Sequence, residues 1–309
     1  MKFQQLHAFK AVYELGTATA AGNSLHLTQP AVSKLIAALE HRVGFKLFER
    51  IKGRLIPTEQ GKAFYFEVSK AFNALDTLED SARDIRTQHL GSLHIASFPL
   101  LANNYLPKLL GQYLKNVPEL TGSLKAYRSE EVYRRTEIQS CDVGFAAIGE
   151  VSPSVSRIEV KCVSLCILPP QSPLREKPYL EPEDLASCPF IRSEIDNTQL
   201  QVDTAFSNAK INRHDVLEVS FASSTASLVA EGVGAAIVDP FTAHQAVKMN
   251  RDVCIKPFKP DIPCQFYILF PALRPVSDSV KQFVDSFFAM AADDGIELHR
   301  TDNQSLVVE

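Results

Sequence analysis

The sequence predicts an α/β protein that opens with an all-α winged helix-turn-helix, continues through a long linker helix and ends in two similar α/β halves. Three observations predict it. Residues 17–50 hold two short helical patterns on either side of a tight turn. Residues 58–88 carry apolar side chains at alternating steps of four and three. From about residue 91, apolar strand patterns alternate with amphipathic helical ones, which argues α/β with mainly parallel pairing.

In chain order, Phe3, Leu6, Phe9, Val12 and Tyr13 fall at helical intervals and give a first helix that packs behind the helix-turn-helix. Thr19 can cap the next helix, whose apolar contacts are Ala20, Ala21 and Leu25, and His26 and Leu27 make the turn. Thr28 is a good N-cap, since its hydroxyl can accept a bond from an orphaned backbone N–H. Pro30 follows in the first helical turn, where a missing N–H costs nothing. Val32, Leu35, Ile36 and Leu39 form a buried stripe. That leaves Thr28, Gln29, Ser33 and Lys34 on the open face at the helix start, where short polar groups suit base edges and phosphates in a major groove.

The segment KLFER buries Leu47 and Phe48 and presents Arg50. IKGRLIPTEQG reads as a two-stranded wing, with Gly53 at its turn and Lys52 and Arg54 at its tip; basic tips of this kind touch phosphate or the minor groove. Thr58 caps the following helix. The candidate DNA-facing set is therefore Thr28, Gln29, Pro30, Ser33, Lys34, Arg50, Lys52, Arg54 and Thr58.

The long helix places Phe64, Val68, Ala71, Leu75, Leu78, Ala82 and Ile85 in a heptad seam, too narrow for a globular core helix and suited to a two-chain contact. A dimer of this kind reads a pseudo-palindromic site.

Beyond His89-Leu90-Gly91-Ser92, strand patterns stand at 93–97, 121–128, 141–148, 163–169, 216–222, 235–239 and 264–270. Helical patterns stand at 106–114, 132–139, 200–208, 224–231 and 277–290, and PEDLASCPF reads as a short helix leading into a strand. The chain crosses between the two halves near 162 and returns near 265. The expected divisions are a DNA-binding domain 1–58, a linker helix 59–90, a ligand-binding domain 91–295 (one lobe 91–162 and 265–295, the other 163–264) and a polar, mobile tail 296–309.

Composition narrows the class. Of 309 residues, 45% are hydrophobic and 22% charged, ordinary for a globular protein of about two domains. No run of eighteen apolar residues and no hydrophobic leader stand in the sequence, so no membrane partner and a cytoplasmic location are expected. Residues 1–62 hold nine Lys/Arg against four acids, a net of +5 on a chain of net −4, leaving −9 for the remainder. A basic module on an acidic body fits an anionic partner at one end only. The six cysteines show no CxxC and no Cys/His metal spacing; in a cytosolic chain they are expected reduced, with Cys162 and Cys166 on one face of one strand. The eight histidines are scattered, and the sequence has no phosphate loop, no GxGxxG and no GxSxG elbow. No catalytic residue, metal or cofactor is expected.

The run AxxxLHLTQPAVSKLIAALExxVGxxLFER resembles the DNA-binding domain of LysR-type transcriptional regulators. Gly22 departs from that pattern, which usually has Ala, and weakens its helix by roughly 0.5–1 kcal/mol. SPLxxKxxLxPEDLAxxPFI and SLVAEGVGAAIVDP resemble the same family's effector domain, so the likeness covers nearly the whole chain. It implies a dimerising linker helix, a tetramer, promoter DNA and RNA polymerase as partners, and a two-lobed ligand domain similar to periplasmic solute-binding proteins. FERxxGRLxPTxQG and SxxSLVAxGVGxxIVDPxTA are most similar to the subgroup controlling lysine synthesis and opine or basic amino-acid use.

In two such lobes, ligands sit between them at strand C-termini and helix starts. The strand ends are Ser97-Phe98-Pro99, Arg128-Ser129-Glu130, Arg192-Ser193 with Asn197 and Thr198, Ser223-Ser224 and Asp239-Pro240-Phe241. The candidate effector residues are Ser97, Phe98, Pro99, Ser129, Glu130, Ser193, Asn197, Ser223, Ser224, Asp239 and Phe241. Hydroxyls and helix N–H groups suit a carboxylate and Asp239 an ammonium, so an amino acid or derivative is the expected effector. The alternatives are a redox-responsive regulator using its cysteines, a solute-binding module and an enzyme.

Overall fold

The computed structural model describes residues 1–51, 54–87, 92–148, 152–194 and 196–302. Two compact units divide the chain, the first taking in Met1–Arg86 and the second Thr87–Glu137 with Cys141–Glu309.

The first unit runs α1 (Phe3–Leu15), α2 (Ala18–Leu25), α3 (Gln29–Val43), β1 (Phe48–Ile51), β2 (Arg54–Pro57) and α4 (Glu59–Thr87). Phe9, Val12, Val32, Ile36, Leu39, Leu47 and Phe48 close its core. The cap of α2 is Thr17, whose hydroxyl accepts the N–H of Ala20 at 3.1 Å; Thr19, the expected cap, lies inside the helix. His26 makes the turn in a left-handed conformation, φ 55°. Gly22 has a positive reason to be glycine: a Cβ there would stand 2.6 Å from the Leu27 carbonyl oxygen, so the turn passes closer than a side chain allows. Residues Lys52 and Gly53, expected at the tip of the wing, lie outside the described residues.

The heptad seam of α4 divides. Phe64 and Val68 turn into the core of their own module, together with Tyr65 and Phe72, so the first heptad is intramolecular rather than a two-chain contact. Leu75 and Leu78 remain 42% and 64% exposed. Ala82 and Ile85 lie outside the described side chains.

The second unit runs β3 (Ser92–Ser97), α5 (Pro99–Ala102), α6 (Tyr105–Asn116), β4 (Thr121–Ala126), α7 (Ser129–Glu137), β5 (Val143–Ala146), β6 (Val155–Val163), β7 (Leu165–Leu168), β8 (Pro189–Ser193), α8 (Asn197–Asn208), β9 (His214–Val219), α9 (Ala222–Ala230), β10 (Ala236–Val238), α10 (Pro240–Met249), β11 (Cys254–Pro257), β12 (Pro263–Pro271), α11 (Asp278–Asp293) and β13 (His299–Asp302). Two short 3-10 turns, Pro173–Glu176 and Pro182–Leu185, precede β8.

A six-stranded sheet, β13-β6-β12-β5-β3-β4, forms one lobe over α6 and α11, with Phe145, Ile268, Phe283 and Phe287 at its centre. The other lobe holds the sheet β10-β7-β11 and the pair β8-β9. Pairing is mixed rather than mainly parallel. Only β3-β4, β3-β5 and β8-β9 run parallel among the described strands, while β6 and β12 pair antiparallel along nine residues from Val155↔Pro271 to Val163↔Pro263. The reason is the crossing itself: β6 leaves the first lobe where β12 returns to it, so the strands meet head to tail.

Two further expectations are corrected. Cys162 lies in β6 and Cys166 in β7, on different sheets, and Cys162 is instead joined to Cys264 of β12 as a disulfide, with Cα atoms 5.2 Å apart. The segment after Asp293 is not a loose tail throughout: Ile296 is buried and β13 extends the six-stranded sheet along β6 as far as Asp302. Among the described residues no helix is long and apolar enough to cross a membrane.

Candidate functional site

Two surfaces collect the candidate residues. The first lies at the start of α3. Pro30 stands in its first turn, and Val32, Ile36 and Leu39 turn inward with Leu35 packed behind them. Helical periodicity then sets Gln29, Ser33 and Lys34 outward. Gln29 Nε2 donates to Ser33 Oγ at 2.9 Å, which couples the two side chains on the open face. Thr28 occupies the N-cap position, φ −76° and ψ 151°, but its side chain makes no capping bond, contrary to expectation, and Thr28, Gln29, Pro30 and Lys34 are exposed.

The wing follows. Arg50 pairs with Leu55 and Ile51 with Arg54 in the β1-β2 register, and both arginines are exposed. Glu40, which sequence reasoning passed over, ties α3 to this wing. Its Oε1 accepts the N–H of Leu47 at 2.8 Å and of Phe48 at 3.3 Å, and Oε2 pairs with Lys46 at 2.8 Å. Burial pushes its carboxyl up, but the bonds from Lys46, Leu47 and Phe48 outweigh that and hold it below the usual carboxylate value. Thr58, expected to face DNA, is engaged internally instead. Its hydroxyl donates to the Lys46 carbonyl at 2.6 Å and accepts the Gly61 N–H at 2.9 Å, which locks the start of α4 to the α3-wing junction.

The second surface is a cleft of about 700 Å³ in the second unit, lined from both lobes. Phe98, Pro99 and Leu100 line it from the β3-α5 junction, and Arg128 and Ala147 from the ends of β4 and β5. The crossing strands supply Cys162, Cys264, Gln265 and Phe266. Ser193, Glu194, Asp196 and Thr198 line it between β8 and α8, Ser220 and Phe221 before α9, and Val238, Asp239 and Phe241 at the start of α10.

Of the expected effector residues, the cleft brings together Phe98, Pro99, Ser193, Asp239 and Phe241. The other six are turned elsewhere. Ser97 is fully buried and its hydroxyl donates to the Phe98 carbonyl. Ser129 accepts the Ala147 N–H at 3.0 Å, latching α7 to the end of β5. Glu130, Asn197, Ser223 and Ser224 lie outside the lining. Asp239, expected to be an ammonium receptor, caps α10: Oδ1 accepts the Thr242 N–H at 2.9 Å and Oδ2 its hydroxyl at 2.5 Å. Burial nevertheless pushes its carboxyl above the usual value, against the pull of those bonds. Phe241 sits on the cleft floor but packs against Tyr105, Phe266 and Phe287 of the first lobe's core, at ring separations of 4.7, 6.0 and 5.9 Å. The residues sequence reasoning missed, chiefly Glu194, Asp196 and Phe221, stand within a few residues of strand ends it had identified.

Known proteins match both units. Residues 3–62 match the family model of the bacterial regulatory helix-turn-helix protein, lysR family, and residues 86–292 that of the LysR substrate binding domain. The transcriptional activator protein LysR of Escherichia coli is 30% identical over 92% of this chain and 91% of its own length. The octopine catabolism/uptake operon regulatory protein OccR of Rhizobium meliloti is 32% identical over 93% and 95%. Full-length CbnR, solved in complex with its target DNA, shares the fold with a TM-score of 0.64 at 22% identity, covering 95% of this chain and all of that one.

Proposed function

The chain belongs to the LysR family of ligand-responsive bacterial transcription regulators, and from that premise we propose that it reads promoter DNA with α3 and the wing, as an oligomer, under control of an amino-acid-like effector held between its lobes. The observation that carries the DNA-binding part is the open polar start of α3, where Gln29 and Ser33 are joined side chain to side chain beside exposed Arg50 and Arg54. Two α3 helices related by a two-fold axis suit a pseudo-palindromic site. Leu75 and Leu78, exposed in register on α4, support the pairing. A regulator of this kind works in the cytoplasm, beside the chromosome and RNA polymerase. The amino-acid reading is supported by the cleft's size and the charged groups in its lining and by the relative named for octopine, an amino-acid derivative.

Electrophoretic mobility shift with promoter fragments tests it. Gln29→Ala and Ser33→Ala are expected to weaken specific binding about tenfold each while leaving non-specific binding unchanged, since a base-edge contact is worth about 1–3 kcal/mol. Arg50→Ala is expected to weaken binding to all sequences and to reduce the salt slope by about one, the signature of a lost phosphate contact. Specific binding that survives all three substitutions removes α3 and the wing as the reading surface.

A second reading, redox control, is favoured by Cys162 and Cys264 standing opposite each other in the crossing strands and in the cleft lining. Burial pushes the thiol of Cys141 up to about 11 and those of Cys166 and Cys188 up as well, which makes all three poor thiolates. The step is two thiols and one hydrogen peroxide giving one disulfide and two waters. Promoter affinity measured after peroxide and after dithiothreitol is expected to differ in the native chain and to coincide in Cys264→Ser; equal affinities in the native chain exclude this control.

A further inference from the structure

Charge in the cleft is divided between its two walls. Arg128 comes from the first lobe, two residues past β4, where its carbonyl accepts the N–H groups of Glu131 and Val132 and so fixes its backbone at the start of α7. Several arginines of this unit are matched, Arg192 with Asp203 and Glu218, Arg213 with Asp203 and Asp215, Arg274 with Asp142 and Arg134 with Glu131, and of the described arginines Arg128 is the one that lines the cleft. Among the described residues, no carboxylate pairs with Arg128. A guanidinium offers a planar fork of N–H donors that matches a carboxylate on two bonds at once.

The facing wall is acidic. Glu194 is held by its N–H, which donates to the Val219 carbonyl at 2.9 Å, while its carboxylate accepts no bond among the described residues. Asp196 gives one oxygen to the Gln199 N–H at 2.7 Å as the cap of α8. Among the described residues, no lysine or arginine of the lining stands with them, and Arg128 is its one cationic side chain. Phe221, two residues after Val219 and 55% exposed, adds an aromatic face at the same wall, and ring faces attract cations. Between the walls the lining is apolar, with Phe98, Leu100 and Phe266. Asp239 takes no part, since both of its oxygens are engaged by Thr242.

We propose that the cleft selects a ligand with a carboxylate at one end and a cationic side chain at the other, a basic amino acid, with Arg128 reading the carboxylate and Glu194 with Asp196 reading the cation. The proposal rests on the effector reading above and specifies it. A dicarboxylate would satisfy Arg128 and repel the acidic wall; a neutral ligand would leave both walls unpaired. Only a ligand charged at both ends pairs groups from both lobes, and so binds the closed arrangement better than the open one, which is what a switch requires.

Calorimetric titration of the full chain with L-arginine, agmatine (no carboxylate) and L-citrulline (no side-chain charge) tests it, with L-leucine and L-glutamate in the same panel. L-arginine is expected to bind at least tenfold more tightly than agmatine or L-citrulline. Arg128→Gln is expected to weaken L-arginine about tenfold or more and to leave agmatine within about twofold. The double variant Glu194→Gln, Asp196→Asn, which keeps the α8 cap acceptor, is expected to weaken L-arginine and agmatine and spare L-citrulline. These are surface groups, so the unliganded melting temperature serves as the control for folding. Equal affinities for L-arginine and L-citrulline, or substitutions that weaken all three ligands alike, overturn the assignment. Binding of L-leucine or L-glutamate alone overturns it and leaves the amino-acid reading standing; no binding by any of the five overturns both.

Discussion

Glu40→Ala is expected to destabilise the first unit by about 2–4 kcal/mol, because it strips the acceptor from two backbone N–H groups at a part-buried turn, each such loss costing about 1–3 kcal/mol. The ion pair with Lys46 contributes little to that figure: the lysine side chain is 77% exposed, and exposed pairs are worth less than about 1 kcal/mol. The carboxylate itself is only 11% exposed, so its bonds to Leu47 and Phe48 dominate. The pH dependence separates these terms. The folded carboxyl titrates below its ordinary value of 4.5, so the charged form is the one the fold favours. Its stabilisation is therefore complete above about pH 4.5 and is lost as pH falls through the folded value. Thermal melts of the native chain and Glu40→Gln between pH 3 and 7 should converge at the acid end and separate toward neutrality. Parallel curves across the whole range would show that the carboxylate's charge plays no part.

Gly61→Ala is also expected to destabilise, about half as much, for a steric reason at the same junction. A Cβ on Gly61 would overlap the Leu47 carbonyl oxygen and stand 3.1 Å from its carbon, both backbone atoms that cannot swing aside. Alanine gains roughly 0.5–1 kcal/mol of helix propensity over glycine; overpacking against backbone costs about 1–3 kcal/mol and often more. The clash wins, so the expected net loss is about 1–2 kcal/mol, with weaker promoter binding because Leu47, Phe48 and the wing shift together. Chemical denaturation followed by tyrosine fluorescence measures the first effect and mobility shift the second. A melting point equal to the native chain's would mean that α4 starts elsewhere.

Both results concern a place where sequence reading was only half sufficient. The stripes of α1, α3 and α4 were legible because one face of each helix is buried, and strands β3, β5, β7, β10 and β12 because each is a short apolar run. Elements were missed where that signal was weak or was read as something else. The polar strand β13 lies at a sheet edge and has no apolar pattern to show. Asp239-Pro240, an N-cap followed by a first-turn proline, marks the start of α10, and the same aspartate at a strand end also suits a ligand group, so the local pattern does not separate the two roles. The alternation of Ile158, Val160 and Cys162 marks β6, although its nine-residue pairing with β12 depends on a register no local pattern contains. That register also decides that Cys162 meets Cys264 across 102 residues of chain. In the cleft, strand ends located the neighbourhood, but whether Ser129 or Arg128 faces it depends on how the first turn of α7 is rotated, and Ser129 is turned to Ala147.

The docking of α4 on α1 has a mechanical consequence. Tyr13 and Tyr65 lie ring on ring at 3.7 Å and 6°, Tyr65 Oη donates to Glu14 at 2.7 Å, and Phe3 meets Phe72 at 4.9 Å. Two residues of the long helix, two turns apart, are thus clamped to the bundle that carries α3. A helix of 29 residues is about 43 Å long, so it behaves as a lever whose short arm is the clamp. The helix runs 15 residues past Phe72, about 22 Å, so a tilt of about 10° at the clamp displaces its far end by about 4 Å, and displacement of that end turns α3 with its bundle. The stiffness of this aromatic clamp therefore sets how much of any movement of the helix's far end reaches α3.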